Sequence, residues 1–406
     1  ALEMGAPLGF MRLSGRATLA SLEHFSQTAV SYPSVEERDG PWRSLVCHEP
    51  VGVVATISPW NGPFAMSVGK SATAMLAGCV VVDKPSAETP FDAMPWAEAL
   101  SEAGLPSGVY NLIPGGTAAG AHLVQHPLVD MVSFTGGTVA GRKIGAVAGQ
   151  HLKRVVLELG GKSAAIVLDD ADLDTVVTSV GASLFPNCGQ VCSGLTRVIV
   201  PSHLVDDVLA RLVEYSDQIV VGDPLASGTI MGPLASLRQY ERVRSFIDSG
   251  RAEGAVLASG GGRPEHLDVG YYLAPTIFTQ VTNEMTIGRE EIFGPVVSVI
   301  AHDGDEDALR KANDSAYGLN GAVFSGDHER ATALARGLWA GSVTINAYTS
   351  NFEAPRTGLN DSGLGARGGI EGFNEHRISR TINLEPGEGA YTPGNLIGTA
   401  SDVPER

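Results

Sequence analysis

Glu158-Leu159-Gly160-Gly161-Lys162 and, downstream, Gly189-Gln190-Val191-Cys192-Ser193 are the stretches from which the rest of the chain is read. The first sets a carboxylate on a strand end beside two glycines, where the backbone can bend sharply. The second sets a thiol among small residues, where a substrate carbonyl can approach. A thiol that attacks a carbonyl and a carboxylate that later activates water make a two-step acyl chemistry. Outside these stretches, short β-branched runs alternate with helical periodicity, which implies parallel sheets with helices on their faces.

The totals agree with that class. A chain of 406 residues exceeds one ordinary core and implies two or three domains, and 50 glycines suit many tight strand-to-helix turns. A formal charge of −17 argues against nucleic acid or an anionic membrane as partner. Four cysteines (Cys47, Cys79, Cys188 and Cys192) do not make a disulfide framework. The start at Ala1 lacks a signal-peptide pattern, and no apolar run approaches the roughly 20 residues of a membrane span. The expectation is a cytoplasmic protein.

In chain order, residues 1–30 read as helix. Residues 32–50 read as two β-prone runs around a turn at Glu36-Glu37-Arg38-Asp39-Gly40-Pro41. That hairpin holds too few apolar residues for its own core and is expected to pack on another domain or subunit. Strands are expected at 51–57, 80–82, 110–113, 132–134, 164–168, 198–200, 296–300 and 343–345. Helices are expected at 64–77, 93–103, after Gly137 to about 149, and at 173–185, 205–219, 236–250, 305–313 and 329–338. The tail from Glu385 is rich in Gly and Pro and is expected to be extended or loosely ordered.

Taken singly, the chemical signals have bland readings. Phe134-Thr135-Gly136-Gly137-Thr138, running to Gly141, could cradle dinucleotide phosphates at a helix start, yet it departs from GxGxxG and by itself reads more readily as a plain strand–helix connection. A lone Cys192 is more often a small core residue. Cys188 and Cys192 have the i, i+4 spacing of metal ligands, but no nearby histidine completes a set, so no metal is expected. Glu158 alone reads as a salt-bridge partner, and Asn61 in Pro59-Trp60-Asn61-Gly62-Pro63 as a turn residue.

In combination, these pieces resemble the aldehyde dehydrogenase superfamily from Ala1 to about Arg380. The match includes Pro59-Trp60-Asn61, Lys84-Pro85-Ser86, the Phe134 turn, Glu158 to Lys162 and Gly189 to Cys192. It continues through Glu290-Glu291-Ile292-Phe293-Gly294-Pro295, Asn313-Asp314, Tyr317-Gly318-Leu319 and Ser362-Gly363-Leu364-Gly365. The resemblance implies an α/β fold of two parallel-sheet domains plus a β-hairpin oligomerisation arm. A dinucleotide-binding domain would span 1–31 and 51–159, a catalytic domain 160–375, and the arm and tail 32–50 and 376–406. The arm would join the hairpin to a terminal strand near Ile378 to Leu384.

It also implies roles. Cys192 would attack an aldehyde, and the Asn61 amide with the Cys192 N–H would hold the oxyanion. Hydride would leave for NAD or NADP, and Glu158 would activate the water that hydrolyses the thioester. Lys70 resembles a lysine that supports Asn61 and the proton path. Glu291 would bind the nicotinamide ribose and Phe293 would lie against the ring. Trp60, Lys84, Ser86, Gly136, Gly137, Gly141, Leu159 and Gly160 would complete the cofactor site. A homodimer or homotetramer is implied.

Departures from the family pattern leave alternatives open. Ala87 stands where NAD-preferring members carry a glutamate, which admits NADP, with Glu88 next door as partial compensation. Gly137 replaces a common serine, removing one hydroxyl contact to the pyrophosphate. Gly62 and Gly69 replace larger tunnel side chains, which widens the tunnel unless neighbours such as Phe352 fill it. Arg356 stands in the usual Pro-Phe-Gly-Gly stretch and reads as a solvated rim residue, or else as a partner for a substrate carboxylate. Family members carry a further segment before the position of Ala1, so this polypeptide is also compatible with a catalytically impaired binding or structural protein. Acyl transfer to coenzyme A is disfavoured by the presence of Glu158.

Overall fold

The computed structural model describes residues 1–386, with side chains to Leu384. Five short runs dominated by apolar residues, Val53–Ile57, Val80–Lys84, Tyr110–Leu112, Met131–Thr135 and Arg154–Glu158, pair in parallel as one sheet. Such runs pack apolar side chains on both faces, so the sheet needs cover on each side. Helices Leu8–Ala29 and Pro63–Leu76 supply one cover, where Phe25, Ala74, Val54, Met131 and Phe373 form a common core. On the other face, Leu123 of helix Thr117–Gln125 and Ile144 of helix Thr138–Gln150 pack with Ala55, Val132 and Leu157.

The sixth strand of this sheet, Gly363–Leu364, is antiparallel to Arg154–Glu158, with Gly363 opposite Glu158. The chain therefore returns to the first sheet before residue 375, within the span expected to be wholly catalytic domain.

The second sheet has seven strands, in the order Val256–Ser259, Thr276–Thr279, Val296–His302, Leu195–Pro201, Ser163–Val167, Asn320–Phe324 and Ser342–Ile345. Only the first pairing is antiparallel. Its central positions, among them Ile166, Val198, Ile199, Val297 and Val323, are solvent-free. Each such side chain contributes about 1.5–3 kcal/mol of burial free energy. Arg197 lies in the same layer, almost fully buried, and its guanidinium donates to the carbonyls of Lys162 (3.0 Å), Lys311 (3.0 Å) and Ala312 (2.7 Å). It thereby pins the start of strand Ser163–Val167 to the end of helix Asp305–Asn313.

A separate three-stranded antiparallel sheet joins Val35–Arg38, Trp42–Pro50 and Arg377–Pro386. The hairpin and terminal strand pair as expected, but Glu36, Glu37 and Arg38 belong to the strand, so the turn is confined to Asp39–Pro41. The expectation for the tail from Glu385 lies largely outside the described residues. Three strands of the seven-stranded sheet come in addition to those expected: Val256–Ser259, Thr276–Thr279 and Asn320–Phe324.

Replacing Arg197 with Met leaves three inward carbonyls without a donor, a loss of about 3 kcal/mol. Differential scanning fluorimetry should show a melting temperature several degrees lower. Arg238→Met, which removes an ion pair from a surface side chain that is 79% exposed, should change it little.

Candidate active site

The register of the first sheet brings four strand ends to one edge. Ile57 pairs with Lys84 and with Phe134, and Thr135 pairs with Glu158. The loops after these strands carry Trp60 and Asn61, Pro85 to Ala87, Gly136 and Gly137, and Leu159 to Lys162. In open α/β sheets the crevice beyond the carboxyl ends of the strands is the binding side.

Helix Thr138–Gln150 starts at this edge. Its N-cap is Gly137, which offers no side chain to the first amides, so those donors are free for an anion. A Cβ at Gly137 would meet nothing within 4 Å, leaving room above the helix start. Gly136 and Gly141 are filled instead from within the protein, by the Phe134 ring and by Leu159. Lys84 donates to the Pro85 carbonyl at 2.7 Å. The Ser86 hydroxyl donates to the Glu88 carboxylate, which also pairs with Arg238 at 3.0 Å. Those bonds, chiefly the one from Ser86, hold the Glu88 carboxyl below its usual range.

From the second unit, Phe293 meets Trp60 edge to face at 5.4 Å between ring centres. Phe293 holds a left-handed φ of 61°, and its carbonyl accepts from Gln239 at 2.7 Å. A Glu291 carboxylate oxygen accepts the Gly161 N–H at 3.0 Å, and a Cβ at Gly160 would lie 2.6 Å from the other oxygen. Only glycine permits this approach. Burial raises the Glu291 carboxyl above its ordinary range.

The thiol arrives from helix Leu173–Leu184, which ends in a tight turn at Phe185–Asn187. Cys188 (φ 52°) and Gly189 (φ 69°) then reverse the chain. A Cβ at Gly189 would collide with the Gly294 carbonyl, so the loop seats directly on the Phe293 segment. Asn187 donates to the carbonyls of Asn61 (2.9 Å) and Gln190 (3.1 Å), and Asn61 donates to Gln190 at 2.8 Å. This leaves the second N–H of the Asn61 amide without a partner beside the Cys192 loop. The Gly161 α-carbon packs against the Cys192 carbonyl.

The electrostatics are those of a crowded, poorly solvated cleft. Burial, followed by the charges of Glu291 and Glu158, pushes the Cys192 thiol up to about 11, while Arg367 and Arg356 oppose the rise. Lys70 is buried and pushed down to about 7, mainly by burial and further by Arg367, with Glu158 and Asp83 opposing. Its amine donates to Ser133 at 3.0 Å rather than to Asn61. Glu158 is 8% exposed, and one of its carboxylate oxygens has no hydrogen-bond partner. A buried acceptor left open beside a thiol is available for a proton.

Beyond the Asn61 loop, where Gly62 approaches Met66, a cavity of about 250 Å³ opens between helix Leu8–Ala29 and helix Pro63–Leu76. Gly69 lies on its wall with nothing within 4 Å of a Cβ, and a Cβ at Gly62 would meet only Met66, at 4.0 Å. Phe352 stands on the same wall without filling that space. A wider depression of about 700 Å³ along helix Val205–Asp217 shares no residue with this site.

The structure thus gathers Cys192, Asn61, Glu158, Trp60, Glu291, Phe293, Leu159 and Gly160 around one crossing. Gly136, Gly137, Gly141, Lys84 and Ser86 lie along the adjoining sheet edge, and Lys70 lies one layer beneath. Asn187, Gln190, Ser133 and Arg367 belong to the same network and carry no sequence signal of their own. Asn187 reads as an ordinary turn residue, and Arg367 falls just past the Ser362–Gly365 motif.

Residues 1–382 match the model of the aldehyde dehydrogenase family, and the chain belongs to that family. It is 43% identical over 386 residues to a geranial dehydrogenase of Castellaniella defragrans, covering 94% of this chain and 80% of the relative. It is 45% identical over 375 residues to a 3-succinoylsemialdehyde-pyridine dehydrogenase of a Pseudomonas species, covering 92% and 78%. The crystal structure of a Mycobacterium tuberculosis aldehyde dehydrogenase complexed with NAD+ superposes with a TM-score of 0.93 at 40% identity, covering 96% of this chain and 80% of that one.

Removing a neighbouring negative charge favours the thiolate, so Glu158→Gln should lower the Cys192 pKa. Alkylation of Cys192 by iodoacetamide at pH 8, followed by peptide mass spectrometry, should then run roughly threefold or more faster in the variant. In the wild type the rate should climb with pH well beyond 9, consistent with a thiol held near 11.

Proposed function

We propose that the chain is an NAD(P)-dependent aldehyde dehydrogenase that oxidises an aldehyde to its carboxylic acid. The observation that carries the reading is the meeting of one thiol, one side-chain amide with a spare N–H, and one open carboxylate at the junction of two sheets. Cys192 Sγ bonds to the carbonyl carbon, and the developing oxyanion accepts from the spare Asn61 N–H and the Cys192 amide. When bound, the oxidised nicotinamide takes the hydride from that carbon, which leaves a thioester. Glu158 then draws a proton from water as the water adds to the thioester, and Cys192 departs as the leaving group. Lys70, close to Glu158 and near neutrality in its buried seat, offers an exit for that proton.

The residues along the sheet edge fit the cofactor. The uncapped amides after Gly137 would hold the pyrophosphate, Glu291 the nicotinamide ribose, and Trp60 with Phe293 the ring. Lys84 and Ser86 would serve the adenine ribose, with Gly136, Gly141, Leu159 and Gly160 shaping the floor. Ala87 puts no carboxylate against a 2′-phosphate, and Glu88 is held by Ser86 and Arg238, so both NAD and NADP are accommodated. The Mycobacterium relative is complexed with NAD+, which supports at least that cofactor. Among the described residues no helix is long and apolar enough to cross a membrane.

Two experiments test this reading. Cys192→Ala should abolish formation of reduced cofactor, seen at 340 nm, with every aldehyde that the wild type oxidises. Glu158→Gln should give a burst of about one reduced cofactor per site followed by turnover slowed roughly 10²-fold or more. An unchanged steady rate would remove the general-base role.

The three-stranded arm is proposed to assemble a homodimer or homotetramer. Ile378, Ile382 and Leu384 lie on one face of the terminal strand and are 37%, 39% and 44% exposed. An apolar strand face left in water is a docking surface. Ile382→Glu should shift the mass measured by light scattering toward the monomer.

A further inference from the structure

Strand Arg356–Thr357 pairs antiparallel with strand Ala366–Arg367, and in that register Arg356 lies directly opposite Arg367. Directly opposed residues share a face of the ladder, and like charges placed so repel. Neither guanidinium has an acidic partner within ion-pair distance among the described residues. Arg367 donates only to the Met66 thioether, at 2.8 Å, which is a weak acceptor, and Arg356 makes no side-chain hydrogen bond. Several other arginines are ion-paired, among them Arg330 with Asp169 and Asp305 and Arg310 with Asp307.

Both arginines line the cavity beyond the Asn61 loop, and they are the only charged residues among those lining it, in a chain of net charge −17. The charge of each opposes the upward shift of the Cys192 thiol. Arg356 is exposed and Arg367 half-buried, and two guanidinium groups at opposed strand positions on one cavity wall, neither of them ion-paired among the described residues, offer a carboxylate charge-assisted bonds.

We infer that the substrate is an aldehyde carrying a carboxylate, bound by Arg356 and Arg367 together. The remaining wall, with Met66, Phe352 and the open space over Gly69, accommodates the hydrocarbon between the two ends. This specificity rests on the dehydrogenase reading above. The site's affinity for a carboxylate does not, and the experiment separates the two.

Short ω-oxo carboxylic acids are compared with their methyl esters as substrates of the wild type, of Arg356→Met/Arg367→Met and of Arg356→Lys/Arg367→Lys, using NAD+ and NADP+. Binding of the corresponding dicarboxylates, the reaction products, is measured in parallel by calorimetry at low and high salt, and melting curves check folding. The wild type should favour acid over ester by roughly tenfold or more in kcat/KM, mainly through KM. The methionine pair should bring that ratio to about one, and the lysine pair should restore part of it. Dicarboxylate affinity should fall roughly tenfold or more in the methionine pair and weaken with salt in the wild type. Esters oxidised as well as acids at every chain length, or a preference and a dicarboxylate affinity that survive in the methionine pair, would overturn the inference. Dicarboxylate binding that depends on the arginines, in a protein that oxidises no aldehyde, would uphold the anion site and count against the dehydrogenase reading. Loss of both overturns the two together.

Discussion

The molecule is built around a crossing of four residues. Strand Arg154–Glu158 ends in the first sheet, strand Ser163–Val167 begins the second, and Leu159 to Lys162 span the gap while wholly buried. A buried connection must satisfy its own polar groups, and this one does so through its neighbours. The Leu159 N–H donates to Ser362, the Gly160 carbonyl accepts from the Ser362 hydroxyl, the Gly161 N–H donates to Glu291, and the Lys162 carbonyl accepts from Arg197. Each partner comes from a distant part of the chain. Fixing the crossing therefore fixes where the Glu291 segment, the Ser362 turn and the thiol loop stand, and Glu158 is the residue immediately before it.

The two glycines of the crossing let both the Glu291 carboxylate and the Cys192 carbonyl come against bare backbone. The consequence is electrostatic. The Glu291 carboxyl and the Cys192 thiol share a poorly solvated site, and both are driven toward their neutral forms, by burial first. The thiol stands near 11. Lys70 is likewise driven by burial toward its uncharged form. The charges of the two arginines on the cavity side favour the thiolate. Nucleophile activation and substrate selection are therefore linked through Arg356 and Arg367: an anion bound there withdraws part of the support for the thiolate, and the developing oxyanion must rely on Asn61 and the backbone.

Much of this was legible in the sequence where the local signal and the tertiary demand agree. Val53–Ile57 and Val80–Lys84 are nearly continuous apolar runs, and buried parallel strands require that pattern. Helix Asp305–Asn313 has three acids in its first turn and two bases in its last, matching its dipole. Asn320–Phe324 was not legible as a strand, although it lies between two others in the second sheet. Its opening Asn-Gly reads as a turn, and pairing on both sides overrides that propensity. Helix Thr117–Gln125 begins Thr-Ala-Ala-Gly-Ala and shows no apolar stripe, because only Gly120, Leu123 and Val124 are buried. The site residues that carry family motifs could be named from the sequence. Asn187 and Arg367 could not, since their importance comes from which carbonyl or which opposite strand folding brings to them.

The same geometry separates what must be invariant in shape from what can change. Ser362 accepts the Gly318 N–H while donating to Gly160, so the turn preceding the substrate segment is locked to the crossing by backbone-directed bonds. Arg356 lies in a two-residue strand whose main-chain partner is also set, but its side chain projects into open cavity without a bond of its own. Gly62 and Gly69 likewise face space, one after the Asn61 loop and the other on a helix held from beneath by the Ser67–Asp83 and Lys70–Ser133 bonds. A substitution at any of these three positions changes the room or charge met by the far end of an aldehyde without moving Cys192, Asn61 or Glu158. On the proposed reading, reaction type resides in the crossing and substrate choice in the cavity wall: the departures at Gly62 and Gly69 alter room alone, whereas Arg356 also acts on Cys192 through its charge.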